Sequence, residues 1–321
     1  MTIKKILKKK KIRLFIFLLI LMVALFYLIA TKVNEVEIYT NQNQLSSVIT
    51  SEYSTTTFPM AATREIAPFS YLNLNNKGVI VFDLNKNKVI FSRDKDVVLP
   101  IASITKLMTI YTASKFLAPD SVVTITPEDI ALDSVSTLIP GERWDFKNLM
   151  AFTLVSSSNA GANAIAREAQ NISQTDFITE MNQTTQEIGL KNTYFRNPTG
   201  LDMNNDQISG ANSTAQEVAL FYSYIYRYHP NLLLNTNKSY LSVVSLDGNN
   251  HGTTNTNNII EEIPGIISSK TGTTFLAGEN LAVIFNPIQN HPVVIVILGG
   301  TFQSRFVDMG KLVKDTVKAL Q

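Results

Sequence analysis

Apolar and polar positions change their rhythm several times along this chain. An uncharged apolar run, Leu14 to Ala30, gives way up to about residue 63 to a stretch rich in Asn, Ser and Thr, which reads as a polar spacer. Two short β-rich runs follow, Gly78 to Asp83 and Lys88 to Ser92, around an Asn-Lys-Asn turn that predicts a hairpin. After Pro100 the period becomes helical. Ile104, Leu107, Met108 and Tyr111 fall at i, i+3, i+4 and i+7 and make one apolar stripe, which Pro119 closes. Further helices are predicted at 147–155 and 160–170. Another carries Phe177, Met181 and Ile188, opens with a Ser173–Asp176 capping box and ends at Gly189; a fourth starts at Thr214 with Glu217 and runs to about Tyr228. Then the period returns to that of strands. Ile266 to Thr271, Asn280 to Phe285 and Val293 to Leu298 predict strands joined by Asn286-Pro287 and neighbouring turn residues. A last amphipathic helix carries Phe306, Met309, Leu312, Val313, Val317 and Leu320.

Strands first, helices in the middle, strands and a helix last: this order predicts an α/β chain of the α+β kind. Its antiparallel sheet is built from both chain ends and flanked by helices, with a helical lobe inserted over about 100–235. The folded domain is expected over 64–321, after a basic tail at 1–13, a transmembrane anchor at 14–30 and the spacer at 31–63.

Charge sharpens that division. The 321 residues carry a formal net charge of +2, but seven basic side chains (Lys4, Lys5, Lys8, Lys9, Lys10, Lys11, Arg13) precede Leu14 with no acid among them. Setting those seven aside leaves 21 basic residues against 26 acidic ones, a net of −5. A mildly acidic body argues against nucleic acid as a partner. A basic run before an apolar one predicts a cytoplasmic N-terminus and a single-pass membrane protein with its body outside the cytoplasm. Cleavage as a signal peptide is the rival reading; Leu28, two places before Ala30, is too large for the usual cleavage site and favours an uncleaved anchor.

Cysteine is absent, which removes disulfides, thiol nucleophiles and Cys-based metal sites. His229, His251 and His291 are far apart, show no metal-ligand spacing and read as ordinary surface or loop residues. No metal or other cofactor is expected. A serine nucleophile would then need lysine as its base. Ser103-Ile104-Thr105-Lys106 sets both groups on one helix face at i, i+3, with Ser103 near the positive end of the dipole. Lys106 can act as a base only if its pKa is lowered by burial or a second cation. Chance alone supplies such a pair, and Ser92-Arg93-Asp94-Lys95 has the same spacing but no helical stripe after it. Two further elements add weight. Ser157-Ser158-Asn159 is the chain's only S-x-N and falls at a break between helices, where Ser157 and Asn159 could relay a proton and bind an amide. Lys270-Thr271-Gly272, the only K-T-G, ends a β-rich run and precedes Thr273 and Thr274. There a glycine would let a substrate backbone approach an edge strand, while the lysine and hydroxyls could anchor a carboxylate.

In this order the three motifs resemble the signature of the penicillin-recognising serine enzymes. The chain is most similar to serine D-alanyl-D-alanine carboxypeptidases, the low-molecular-mass penicillin-binding proteins. Leu99 to Thr109 resembles their nucleophile segment; Asn197-Pro198-Thr199-Gly200-Leu201 and Ser213-Thr214-Ala215 resemble their linking motifs, and Ala277-Gly278 their turn after K-T-G. The resemblance implies a serine β-lactamase/transpeptidase-like fold. It implies acylation of Ser103 with Lys106 as general base, Ser157 and Asn159 assisting, and Lys270 attracting the substrate carboxylate and depressing a neighbouring pKa. Thr271 and Thr274 would hydrogen-bond that carboxylate, and the N–H groups of Ser103 and Thr273, beside Gly272, would form the oxyanion hole. The implied substrates are peptidoglycan stem peptides ending in D-Ala-D-Ala, with β-lactams as covalent inhibitors.

Some positions depart from that pattern. Ser158 stands where the family often has glycine, and Asn212 where an aromatic residue or histidine is expected. After the last predicted helix no β-rich C-terminal domain of the kind many carboxypeptidases carry is expected. Cleavage of cross-links by a related endopeptidase fits equally well. A class A β-lactamase would need E-x-x-L-N, which is absent. A non-catalytic penicillin sensor is the remaining alternative, against which stand three intact motifs.

Overall fold

A computed structural model describes residues 67–321 apart from 132, 134 and 135. The expected basic tail, anchor and spacer lie outside the described residues. Among the described residues no helix is long and apolar enough to cross a membrane.

The chain enters with a hairpin, β1 (Gly78–Asp83) and β2 (Lys88–Arg93), and a short β3 (Leu99–Pro100). Asp83 Oδ1 accepts from the N–H groups of Asn85 and Lys86 at 2.9 and 3.0 Å, which closes the predicted turn as an Asx motif. Helix α1 (Thr105–Ala113) follows, then β4 (Val122–Thr124), α2 (Pro127–Ile130), β5 (Arg143–Asp145), α3 (Phe146–Ser156), α4 (Asn159–Ser173) and α5 (Phe177–Glu187). Strands β6 (Tyr194–Phe195) and β7 (Ala211–Ser213) lead to α6 (Ala215–Tyr228) and a second hairpin, β8 (Tyr240–Val244) and β9 (Asn250–Thr254). Strands β10 (Ile266–Thr274), β11 (Gly278–Ile288) and β12 (His291–Gly300) and helix α7 (Phe302–Leu320) complete the domain.

The main sheet has the order β10-β11-β12-β1-β2 with every pair antiparallel, so both chain ends contribute as expected. Its central strands are buried on both faces. Ile80, Phe82, Ala282, Ile284, Val294 and Val296 pack with the helical lobe, while their alternates Val79, Val81, Leu281, Val283, Ile295 and Ile297 pack with Met309, Leu312 and Val313 of α7. That period-two partition makes one sheet serve two cores. It leaves β10, which carries K-T-G, at an edge beside the lobe.

Four expectations need correction. The helix with Phe177 is capped by Asp176, whose carboxylate accepts from Thr179 N at 2.8 Å; Ser173 ends the preceding helix instead of opening a capping box. Helix α1 shows more than one apolar stripe: all its residues are buried, including Thr105, Lys106, Thr109 and Thr112, because it runs through the middle of the lobe. Strand β10 continues to Thr274, so K-T-G lies within it. Asn286 and Pro287 belong to β11 at a shift of register with β12, where a proline's missing N–H does no harm, and Gln289 and Asn290 make the turn.

Candidate active site

Ser103 lies on a single turn, Ala102–Ile104, that leads into α1, and Ala102 before it takes the left-handed conformation at φ 48°. One helical turn later Lys106 is fully buried. Its Nζ donates to Ser103 Oγ at 2.7 Å, Asn159 Oδ1 at 2.8 Å and the carbonyl of Thr199 at 2.9 Å. Three acceptors match the three hydrogens of an ammonium. On losing a proton the amine keeps two of them for Asn159 and Thr199 and turns its lone pair to the serine hydroxyl.

Ser157 and Asn159 owe their places to a break between two helices. Ser157 caps the C-terminus of α3 at φ 62°, and Ser158 caps the N-terminus of α4 by accepting from Gly161 N at 3.0 Å. Asn159 is thereby the first residue of α4, with its amide on Lys106. Lys270 reaches across from β10 and donates to Ser157 Oγ at 2.7 Å and to the carbonyl of Thr271 at 3.0 Å.

Gly272 explains how close strand and nucleophile come. A Cβ there would lie 2.7 Å from Ile101 O and 3.2 Å from Ser103 N, so only glycine admits this approach. Gly200 does the same behind Ser103: its φ is +79°, and a Cβ would meet Ala102 O at 2.0 Å.

Burial dominates the electrostatics. It drives Lys106 from 10.5 down to about 7, with the negative charge of Asp133 partly opposing it. Burial also holds Lys270 well below its ordinary value, reinforced by the neighbouring charges of Lys106 and Arg305. Two buried ammonium groups so placed repel each other, which favours a neutral amine on one of them.

The structure thus joins Ser103, Lys106 and Asn159 directly, joins Ser157 to Lys270, and sets Gly272 against Ser103 N. The threonines after Lys270 have other partners. Thr271 Oγ1 pairs with Thr256 Oγ1 at 2.5 Å. Thr273 Oγ1 lies 2.7 Å from Glu279 Oε2 and accepts from Arg305 at 2.8 Å, while Thr274 Oγ1 accepts from Ala277 N at 3.1 Å. Sequence reasoning missed the Thr199 carbonyl, although the Asn197–Leu201 motif pointed to that segment. It also missed Asp133, Thr256 and Arg305, which no motif marks. The histidines are not ordinary surface residues throughout. His251 is buried in β9, with Nε2 2.8 Å from Glu142, and His291 opens β12 2.8 Å from Asp83. Among the described residues no group of three or more His, Asp or Glu side chains could hold a metal ion.

Comparison with known proteins agrees with this geometry. Residues 62–301 match the profile of the family described as D-alanyl-D-alanine carboxypeptidase. The D-alanyl-D-alanine endopeptidase of Pseudomonas aeruginosa is 32% identical over 231 residues, covering 70% of this chain and 71% of that protein. The D-alanyl-D-alanine carboxypeptidase DacF of Bacillus subtilis is 29% identical over 214 residues, covering 62% of this chain and 51% of its own length. The fold is that of penicillin-binding protein D2 from Listeria monocytogenes, solved with ampicillin bound. The TM-score is 0.65 at 24% identity, over 78% of this chain and 99% of the other. A profile match across most of the domain, with this fold, makes the chain a member of the D-alanyl-D-alanine carboxypeptidase family.

Proposed function

We propose that the protein is a serine D-alanyl-D-alanine carboxypeptidase acting on peptidoglycan stem peptides through an acyl-enzyme on Ser103. The observation that carries this reading is the buried amine of Lys106, 2.7 Å from Ser103 Oγ and titrating near pH 7. Neutral Lys106 takes the hydroxyl proton as Ser103 Oγ bonds to the carbonyl carbon of the penultimate D-alanine. The N–H groups of Ser103 and Thr273 receive the oxyanion. Lys106 returns that proton by way of Ser157, which is hydrogen-bonded to Lys270, to the departing nitrogen as the C–N bond breaks, so that D-alanine leaves and Lys106 is neutral again. Lys106 then draws a proton from the water that attacks the ester and passes it to Ser103 Oγ as the acyl C–O bond breaks. Lys270 attracts the terminal carboxylate, with the hydroxyls of Thr271 and Thr274 as further donors once they leave their present partners. A β-lactam would acylate Ser103 by the same route and act as a covalent inhibitor.

Labelled penicillin and a pentapeptide ending in D-Ala-D-Ala test this. The expected result is a covalent adduct and release of D-alanine, both lost in Ser103→Ala; the absence of an adduct on the wild-type protein would sink the acyl-enzyme reading. Similarity to the Pseudomonas aeruginosa endopeptidase favours a second reading, hydrolysis of cross-links. A cross-linked dimer cleaved faster than the pentapeptide would select it. The basic run before Leu14–Ala30 supports a membrane anchor with the catalytic domain outside the cytoplasm. Retention of the full chain in membranes after alkaline carbonate extraction is the expected outcome, and release into the soluble fraction contradicts it.

A further inference from the structure

Asp133 lies between α2 and β5, 24 residues before Ser157 in sequence. One of its oxygens, Oδ2, accepts from the N–H groups of Asn159 and Ala160, each at 3.0 Å, and from Ser158 Oγ at 3.4 Å. A single carboxylate oxygen therefore ties down the three residues that follow Ser157. The first N–H groups of a helix have no partner within it, and a negative charge suits them. Here the tethered residue also works at the site, because Asn159 Oδ1 is one of the three acceptors around Lys106 Nζ. The chain of contacts runs from Asp133 through the backbone of Asn159 to its amide, then to Lys106 and Ser103 Oγ.

We propose that Asp133 is a positioning residue for acyl transfer, clamping the Ser157–Asn159 turn so that Asn159 holds Lys106 against Ser103. The proposal rests on the Ser103–Lys106 reading above. It carries a second consequence, because the carboxylate is a charge near the base. Burial pushes Lys106 down, and the charge of Asp133, from its loop, partly opposes that; the neighbouring cations are Lys270 from β10 and Arg305 from α7, and it is Lys270 that the charges of Lys106 and Arg305 push down. Neutralising Asp133 leaves burial unopposed, so Lys106 releases its proton at lower pH.

Two variants separate clamp from charge. Asp133→Asn keeps a carbonyl oxygen for the two N–H groups but loses the charge. Its plateau rate of penicillin acylation should stay near wild type, while the rise of rate with pH moves to lower pH. Asp133→Ala loses both, and a base displaced by about 1 Å lowers acylation on the order of 100-fold. A thermal melt establishes that Asp133→Ala is folded, and Asp133→Asn keeps the test decisive if it is not. Following the Lys106 side-chain 13Cε resonance against pH in wild type and Asp133→Asn requires no turnover. Failure of the acyl-enzyme reading, seen as no adduct on wild type, is thus distinguished from failure of this one. An unmoved or upward-moved Lys106 titration in Asp133→Asn overturns the proposal, as does a wild-type acylation rate in Asp133→Ala.

Discussion

Replacing Gly272 with alanine adds one methyl group where strand β10 passes the nucleophile. The new Cβ would stand 2.7 Å from Ile101 O, and 3.2 Å from both Ala102 Cβ and Ser103 N. Comfortable non-bonded separation is about 3.5 Å, so the shortfall against Ile101 O is roughly 0.8 Å. The nearest neighbour is backbone and cannot swing aside. Ile101 is also pinned, since its N–H donates to Ala211 O at 3.1 Å and its carbonyl accepts from Ile104 N at 3.2 Å. Relief must come from β10, which as the edge strand has a strand partner on one side only.

A retreat of most of an ångström separates Lys270 and the N–H of Thr273 from Ser103. Misplacement by ~1 Å costs about 100-fold in rate, or about 2.7 kcal/mol of barrier. Overpacking costs stability as well, about 1–3 kcal/mol, but an edge strand should bring it to the low end. The assay is the second-order rate of acylation by a fluorescent penicillin, paired with a thermal melt. Gly272→Ala should acylate about 100-fold more slowly and melt only a few degrees lower. Gly310→Ala is the control: nothing lies within 4 Å of its Cβ position, and it should change neither the acylation rate nor the fold. Wild-type acylation by a folded Gly272→Ala protein would refute the claim that this close approach matters.

Because Lys106 titrates near pH 7 and acts as a neutral amine, acylation should rise with pH through about 7; a rate independent of pH from 5 to 9 contradicts that role. Gly200→Ala combines a left-handed φ with a Cβ 2.0 Å from Ala102 O, and should lower the unfolding free energy measured by urea titration by more than about 1 kcal/mol from the backbone alone. His251→Ala removes one hydrogen bond to the buried Glu142 carboxylate, which Asn249 still bonds, a loss of about 1–3 kcal/mol, read as a fall in melting temperature that Glu142→Gln partly restores. Burial pushes Glu142 up, but hydrogen bonds from His251, Asn249 and Ser245 outweigh it and hold its pKa below 4.5. Its contribution is therefore present above pH 4.5 and lost as pH falls through the folded value, so the His251→Ala deficit should shrink in acid.

What the sequence disclosed is what local backbone chemistry writes into short spans. The stripe after Ser103 required a helix, the serine-rich break required two helix ends, and long apolar runs required buried strands. The β8–β9 hairpin escaped because Asn250-His251-Gly252-Thr253-Thr254 has few strand-favouring residues. It exists through its pairing with Tyr240–Val244 and through His251, whose ring packs 4.7 Å from that of Trp144. Thr271 and Thr273 illustrate a second limit. A motif places residues in order, but strand alternation turns Thr273 toward Arg305 on α7, whereas Lys270, two residues before Gly272, meets Ser157 of the lobe. Such partners are set by packing, and no spacing announces them.

The location of the site follows from the same division. Ser103, Lys106, Ser157 and Asn159 belong to the lobe, while Lys270 and Gly272 belong to a sheet made from the two ends of the domain. The lobe supplies the three acceptors around Lys106, and the sheet supplies Gly272, which closes on Ser103, and Lys270, which burial and the charges of Lys106 and Arg305 hold well below its ordinary value. A nucleophile activated in this way becomes competent only when lobe and sheet have docked. A change that loosens their contact, such as a side chain at Gly272, should therefore reduce acylation before it reduces the stability of either half.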